Sequence, residues 1–175
     1  MRLMDVPPFD GEHVNVIIET PKGRRNKFSY DETLDLFRLG GPLPAGAVFP
    51  FDFGFVPGTR GDDGDPIDVL VVMEEPAHVG CLVEARLVGV IEARQTERDG
   101  TVERNDRIVA VAAKSREYGG ISALEDLPAT LVGEIEHFFV SYNQVKGKKF
   151  EVLGRFGPDR ARAAITAGLL EKKGT

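Results

Sequence analysis

The segment Asp62-Asp63-Gly64-Asp65-Pro66-Ile67-Asp68 runs directly into the apolar segment Val69-Leu70-Val71-Val72. Four carboxylates therefore lie within seven residues, at the entrance to a predicted strand. Like charges this close repel one another and raise one another's pKa, so the cluster is costly unless water or a cation neutralises it. The apolar segment predicts a buried strand over 69–73, and the acidic segment indicates a metal site at its mouth.

The spacing of three of these acids favours a hard metal ion. Asp63 and Asp65 are two residues apart, so their side chains point the same way in an extended segment, and Asp68 can return to the same pocket. Gly64 permits a tight turn, and Pro66 biases Asp65 away from helical backbone. Carboxylates at such an edge suit Mg²⁺, which also retains waters and binds substrate phosphates. The alternative interpretation is a solvated Asp-Gly turn.

Composition limits the class of protein. The chain has 175 residues, of which 42% are hydrophobic and 29% are charged, so we expect one soluble globular domain over residues 1–175. A net charge of −6 and a pI of about 5.2 argue against a general nucleic-acid-binding protein. We see no apolar signal segment and no run of membrane-spanning length, so we expect a cytoplasmic protein without membrane contact. Cys81 is the only cysteine, and we expect it to be packed.

Short segments of alternating apolar residues predict a mainly β fold. Strands are predicted over residues 13–19, 27–30, 69–73, 81–93, 107–113 and 149–153. Residues 39–61 are rich in Gly, Pro and Phe and predict an ordered loop with short strand pieces. Asp99-Gly100 indicates a hairpin turn within residues 94–105.

Two helices are predicted after the strands. The first opens at Asp126-Leu127-Pro128, and the second opens at Pro158. Their predicted apolar faces are Leu131, Ile135, Phe138, Phe139 and Tyr142 in the first, and Ala161, Ile165 and Leu169 in the second. Short strands followed by late helices predict an α+β fold, mainly β, with a small antiparallel barrel and the helices packed outside it.

Residues 63–70, Asp-Gly-Asp-Pro-Ile-Asp-Val-Leu, resemble the signature of the family I soluble inorganic pyrophosphatases. The resemblance covers nearly the whole chain, through Ile18–Pro21, Phe49–Phe55, Val88–Val90, Arg107–Val111 and Ile135–Lys148. It implies an OB-like five-stranded antiparallel barrel with two flanking C-terminal helices. It also implies hydrolysis of inorganic pyrophosphate to two phosphates, Mg²⁺ as cofactor, a cytoplasmic location and a homo-oligomer, in bacteria often a hexamer.

The same resemblance implies roles for individual residues of this chain. They are metal binding by Asp63, Asp68 and Glu19, general base catalysis by Asp65, and phosphate binding by Lys27, Arg107 and Tyr142. Arg107 stands where the family has a lysine that contacts phosphate. Bridging cations would neutralise the phosphate oxygens and acidify a bound water.

The chain departs from the family pattern at other positions, which makes it a divergent member. Ser29, Gln95 and Asn105 stand where the family has acids, Gly41 and Asn143 where it has bases, and Phe49 and Phe53 where it has tyrosines. Fewer anions should weaken the binding of additional metal ions. Each lost hydroxyl removes a hydrogen bond worth about 1.5–3 kcal/mol to a charged acceptor. Arg38 lies close to the missing arginine, and Glu97, Asp99 or Asp106 could replace the missing acids if the hairpin folds inward.

Three functions are therefore weighed. The first is Mg²⁺-dependent hydrolysis of pyrophosphate by a diphosphatase. The second is a hydrolase of the same fold that acts on polyphosphate or nucleotide phosphoanhydrides, which the altered phosphate side of the site suggests. The third is a non-catalytic metal- or phosphate-binding module, which the missing charges at Gln95 and Asn105 suggest. Walker A, Gly-x-Ser-x-Gly and Rossmann motifs do not occur in the sequence.

Overall fold

The computed structural model describes residues 2–170, which form a mainly β fold with two late α-helices. The strands are β1 (Phe9–Asp10), β2 (His13–Thr20), β3 (Asn26–Asp31), β4 (Leu36–Pro42), β5 (Asp52–Phe55), β6 (Asp68–Val72), β7 (Leu82–Thr96), β8 (Val102–Arg104), β9 (Arg107–Ala112) and β10 (Lys149–Phe156). The helices are α1 (Ala129–Val145) and α2 (Pro158–Ala167), with short 3₁₀ turns at Leu3–Asp5 and Leu124–Asp126.

Five strands close into a ring in the order β2, β5, β6, β9 and β7, because β7 also pairs with β2. This confirms the expected OB-like five-stranded barrel with two helices late in the chain. Four of the five pairings are antiparallel, whereas β6 and β9 are parallel, with Val69 opposite Ile108. A closed ring with an odd number of strands cannot be antiparallel throughout, so one parallel pair is unavoidable.

The ring strands bury both of their faces. Successive side chains of a strand point to opposite sides, and in β6 Leu70 and Val72 join one hydrophobic cluster while Val69 and Val71 join another. Helix α1 packs on the first cluster with its buried residues Val132, Ile135 and Phe139. Helix α2 packs on the second with Ala161 and Ile165. Burial on both sides explains why β6 is a continuous apolar run.

The predicted helices begin where expected, but their inward faces differ in part. Helix α1 starts after Pro128, and its buried positions include Val132 and Asn143, whereas Leu131, Phe138 and Tyr142 are half-buried. Leu131, Phe138 and Tyr142 pack against the edge of the first hydrophobic cluster, and Tyr142 also lines an open cavity. Leu169 lies beyond the end of α2, is 42% exposed and forms an isolated β-bridge with Thr59, so its assignment to the helix was wrong.

The prediction that Cys81 is packed was wrong. Cys81 is exposed and lies directly before β7, whose first residues are also largely exposed. Helices in the described part of the chain are too short or too polar to cross a membrane.

Candidate active site

The acidic segment forms a tight loop between β5 and β6. The amide of Gly61 donates to the carbonyl oxygen of Asp65 (2.7 Å), and the amide of Asp65 donates to Asp63 Oδ1 (3.1 Å). Gly64 has a φ of 86°, which lies in the left-handed region that favours glycine. The guanidinium of Arg60 donates to the Gly64 carbonyl (2.7 Å) and is held in turn by Glu32 (2.9 Å). These contacts hold the carboxylates of Asp63 and Asp65 at the mouth of β6.

A cavity of about 370 Å³ opens beside this loop and collects every residue to which the sequence assigned a role. Glu19 comes from β2, Lys27 from β3, Asp68 from β6, Arg107 from β9 and Tyr142 from α1, and the loop adds Asp63 and Asp65. Side chains from six separate segments thus converge on one space. The structure does not test their individual roles, which stay predictions.

Glu19 is half-buried in the wall of the cavity. Its Oε1 accepts a hydrogen bond of 2.6 Å from the backbone amide of Tyr30. Burial raises the pKa of Glu19 to about 7, and the neighbouring Asp68 charge adds to the rise, while the Tyr30 amide and Lys27 oppose it. Glu19 is therefore a carboxyl that changes charge near neutral pH.

Glu19 should make the metal-free protein less stable as the pH rises. Because its pKa is about 7 in the folded chain, above the ordinary 4.5, the folded state binds the extra proton. The contribution of the protonated carboxyl is therefore fully present below about pH 4.5 and is lost as the pH passes about 7. In EDTA-containing buffer, the unfolding free energy of Glu19→Gln should fall less between about pH 5 and pH 8 than that of the unmodified chain. Denaturant titrations at each pH measure this.

Glu134→Gln, which removes an exposed acid of α1, is the control. Its pH profile should follow that of the unmodified chain. If Glu19→Gln follows it as well, the assigned titration of Glu19 is wrong.

The two acids beside Asp63 share this shift in direction. Burial raises the pKa of Asp68, with Arg107 and Lys27 opposing the rise. Partial desolvation raises the pKa of Asp65, and the Asp63 charge adds to it. The acids thus destabilise one another's ionised forms, as the crowding in the sequence predicted.

Arg107 is the cation closest to this group. The parallel register places Val69 opposite Ile108, so the preceding residues Asp68 and Arg107 are neighbours across the two strands. The Arg107 guanidinium donates to Asp68 Oδ2 at 2.7 Å. The guanidinium carbon lies 4.7 Å from the centre of the Phe139 ring, and the side chain is only 7% exposed. Arg107 is therefore fixed in place, although its predicted partner was phosphate.

Two neutral amides stand behind Arg107, at the positions where acids were expected. Asn105 donates to Gln95 Oε1 (3.0 Å) and accepts from the Arg107 guanidinium through its own oxygen. Gln95 donates to Glu97, which forms an ion pair of 2.8 Å with Lys148. The amides thus connect two ion pairs without adding charge.

Another part of the cavity wall is basic and aromatic. Lys27 Nζ lies 5.7 Å from the centre of the Tyr142 ring, and Lys146 Nζ lies 4.2 Å from it and donates to the Tyr142 hydroxyl. Burial raises the pKa of Tyr142, but the charges of Lys27 and Lys146 outweigh it and leave the pKa below its ordinary value. This wall can attract and hold anionic oxygen atoms.

Most of the residues at which the chain departs from the family pattern line the cavity as well. Ser29, Phe49, Phe53, Gln95, Asn105 and Asn143 are part of its wall, whereas Gly41 is not. Arg38 is 62% exposed and pairs with Asp31 (2.7 Å) on the β3–β4 hairpin, so it does not replace the missing arginine in the wall.

The hairpin acids do not fold into the cavity either. Asp99 accepts from the Thr101 amide (2.9 Å) within the turn, and Asp106 accepts from the Ala93 amide (3.0 Å). Glu97 is occupied by Lys148 and Gln95. These three carboxylates make other contacts and do not line this cavity, although Asp106 lines an adjacent groove together with Asp63 and Asp68.

Sequence reasoning did not single out several members of the wall. Lys146, Lys148 and Tyr30 line the cavity, but the sequence assigned no role to them. Lys146 follows Tyr142 by four residues, so a shared helix face was the available signal. The Tyr30 amide carries no such signal, because its contact with Glu19 depends on how β3 lies against β2.

Comparison with known proteins gives a consistent family. Residues 16–172 match the family model described as inorganic pyrophosphatase. An inorganic pyrophosphatase of Synechocystis sp. is 38% identical over 141 residues, covering 81% of this chain and 80% of that protein. One from Haloferax volcanii is 35% identical over 163 residues, covering 93% and 89%. The crystal structure of inorganic pyrophosphatase from Thermus thermophilus has a TM-score of 0.87 and 32% identity, covering 96% of this chain and 97% of that one.

Proposed function

The chain belongs to the inorganic pyrophosphatase family, and we propose that it hydrolyses inorganic pyrophosphate to two phosphates in the cavity at the mouth of β6. One observation carries the assignment of the site. The acids Asp63, Asp65 and Asp68 and the cations Lys27 and Lys146 line the same cavity of about 370 Å³. Pyrophosphate, an anion of two linked phosphates, would bind there with its reacting phosphorus beside the acids and its leaving phosphate beside the lysines.

The acids fit Mg²⁺ better than other common metal ions. Among residues 2–170, no three His, Cys, Asp or Glu side chains lie close enough to enclose a metal ion by themselves. Mg²⁺ does not need such a cage, because it binds through one or two carboxylates together with waters and substrate phosphates. Asp63 and Asp68 would hold it, with Glu19 behind them. Bound there, Mg²⁺ would neutralise phosphate oxygens and lower the pKa of water.

The residues of the chain supply the remaining steps. Asp65 accepts a proton from the attacking water, and the raised pKa of its carboxyl makes it a better base than an ordinary aspartate. The water oxygen forms a bond to phosphorus as the bond from phosphorus to the bridging oxygen breaks. Lys27 and Tyr142 hold the departing phosphate, and Arg107 adds a fixed positive charge at the base of the cavity.

A groove next to the cavity favours a second candidate function, hydrolysis of longer phosphoanhydrides. The groove encloses about 510 Å³ and shares Lys27, Tyr142 and Lys146 with the cavity. Arg25 adds a further cation at its wall, and Gly41 contributes no side chain that could close it. A third phosphate or an attached nucleoside could extend into this space while the reacting phosphorus stays beside Asp65.

One assay distinguishes these candidates. Phosphate release should be measured with pyrophosphate, tripolyphosphate and ATP at increasing Mg²⁺. We expect Mg²⁺-dependent release from pyrophosphate, with the other two substrates turned over more slowly. Faster turnover of tripolyphosphate or ATP would replace the first candidate with the second. Calorimetric binding of pyrophosphate without any phosphate release would contradict both and indicate a binding module.

We also propose a cytoplasmic location and a homo-oligomer, which by resemblance to the bacterial members of the family is a hexamer. Large apolar side chains exposed on the single chain are compatible with such an assembly, among them Leu36 and Leu39 on β4 and Val145 at the end of α1. Light scattering on the purified protein would measure its mass.

A further inference from the structure

We propose that Arg107 is a built-in cation of this site, which occupies the place of one divalent metal ion, so that the cavity binds a single such ion per chain. The proposal rests on the metal site of the proposed function. It concerns which positive charges neutralise the acids of the cavity, and it can be tested by counting bound metal ions without measuring hydrolysis.

The ion pair itself is the first observation. The Arg107 guanidinium lies 2.7 Å from Asp68 Oδ2, which leaves Asp68 one carboxylate oxygen for other partners. Arginine does not lose its proton in proteins, so this positive charge is permanent. A divalent ion next to that oxygen would be repelled by the guanidinium. Asp68 can therefore share one metal ion with Asp63 but cannot bridge two.

The second observation is that the guanidinium cannot easily move away. It is packed against the rings of Phe139 and Phe150, at 4.7 and 5.4 Å from their centres. It also donates to the oxygen of Asn105 and to the backbone carbonyl of Asp106 (3.2 Å). Arg107 Nε is buried without a hydrogen-bond partner in the described part of the chain. The fold therefore leaves Arg107 Nε without a hydrogen bond, while the charged guanidinium stays beside Asp68.

The third observation is the neutral wall behind it. Gln95 and Asn105 are hydrogen-bonded to each other and carry no charge. Neither can bind a divalent ion as a carboxylate would. The nearby acids Glu97 and Asp106 are neutralised by Lys148 (2.8 Å) and Arg104 (2.5 Å). A second metal ion would therefore meet a permanent cation on one side and amides on the other.

The front of the site is different. Within residues 2–170, ion pairs of 4.0 Å or less are found at Asp68 but at neither Asp63 nor Asp65. These two acids are exposed to the cavity. The front is thus where one divalent ion can bind, and the back is where Arg107 already supplies positive charge.

The test counts bound Mn²⁺ by electron paramagnetic resonance of the free ion, with no substrate present. The unmodified chain should bind one Mn²⁺ per chain, and Arg107→Gln should bind two. Arg107→Lys retains the positive charge and should still bind one. Arg155→Gln removes an exposed arginine paired with Glu136 (2.7 Å), and it is the control that should also bind one.

Two results would overturn the proposal. One is two or more Mn²⁺ per unmodified chain, a count that stands even if Arg107→Gln fails to fold. The other is a folded Arg107→Gln that binds no additional ion. An inactive protein that shows the expected counts would contradict the proposed function only, whereas an active protein with two ions would contradict this inference only.

Discussion

Asp65→Asn should lower Mg²⁺-dependent phosphate release from pyrophosphate by about 10²–10⁴-fold, the range typical of a lost general base. The amide is nearly the same size as the carboxylate but cannot accept a proton from water. The loop should keep its shape, because Asp65 is held through its backbone, with its carbonyl bound by the Gly61 amide (2.7 Å) and its amide bound to Asp63 (3.1 Å). The loss should therefore appear in kcat, with little change in unfolding free energy.

Asp62→Asn is the matched control for this variant. Asp62 belongs to the same loop and is exposed, but it does not line the cavity of about 370 Å³. Its removal changes the net charge by the same amount and should change turnover less than about threefold, since exposed charges act weakly through water. If Asp65→Asn and Asp62→Asn retain similar activity, Asp65 is not the base.

The sequence alone predicted the parts of the site whose residues are adjacent in the chain. The acids of residues 62–68 are next to one another in the chain, so their crowding and their place at the mouth of a strand could be predicted directly. The resemblance added Glu19, Lys27, Arg107 and Tyr142, and the fold brings all four to the same cavity. Predicted strands were also reliable, because apolar alternation is a local property.

The partners of these residues could not be predicted, because they depend on long-range strand pairing. The contact of Arg107 with phosphate stays a prediction, but its contact with Asp68, which the parallel register of β6 and β9 creates, was not predicted. Nothing near Arg107 in the sequence indicates that register. For the same reason, the sequence could not predict the contacts of the hairpin acids Glu97, Asp99 and Asp106. Pairing of β7 with β8 and β10 places Glu97 within reach of Lys148, 51 residues away.

Phe139→Ala should destabilise the protein by about 3–5 kcal/mol, the usual cost of deleting a large buried aromatic side chain. Phe139 is 2% exposed, and its ring lies 5.2 Å from that of Phe138 and 5.8 Å from that of Phe150, centre to centre. Such a loss is a large part of the roughly 5–15 kcal/mol by which domains are stable. Denaturant unfolding monitored by circular dichroism measures it.

Phe156→Ala is the control, because it removes the same side chain from a position that is 39% exposed. Its cost should be clearly smaller, since less apolar surface returns to water. Phe139 also supports the Arg107 guanidinium at 4.7 Å, so its loss should loosen the cation as well as the core. Turnover per folded molecule should therefore fall in Phe139→Ala but not in Phe156→Ala. Equal destabilisation by the two variants would mean that α1 does not hold the core and the site together as described, because the buried ring would then contribute no more than an exposed one.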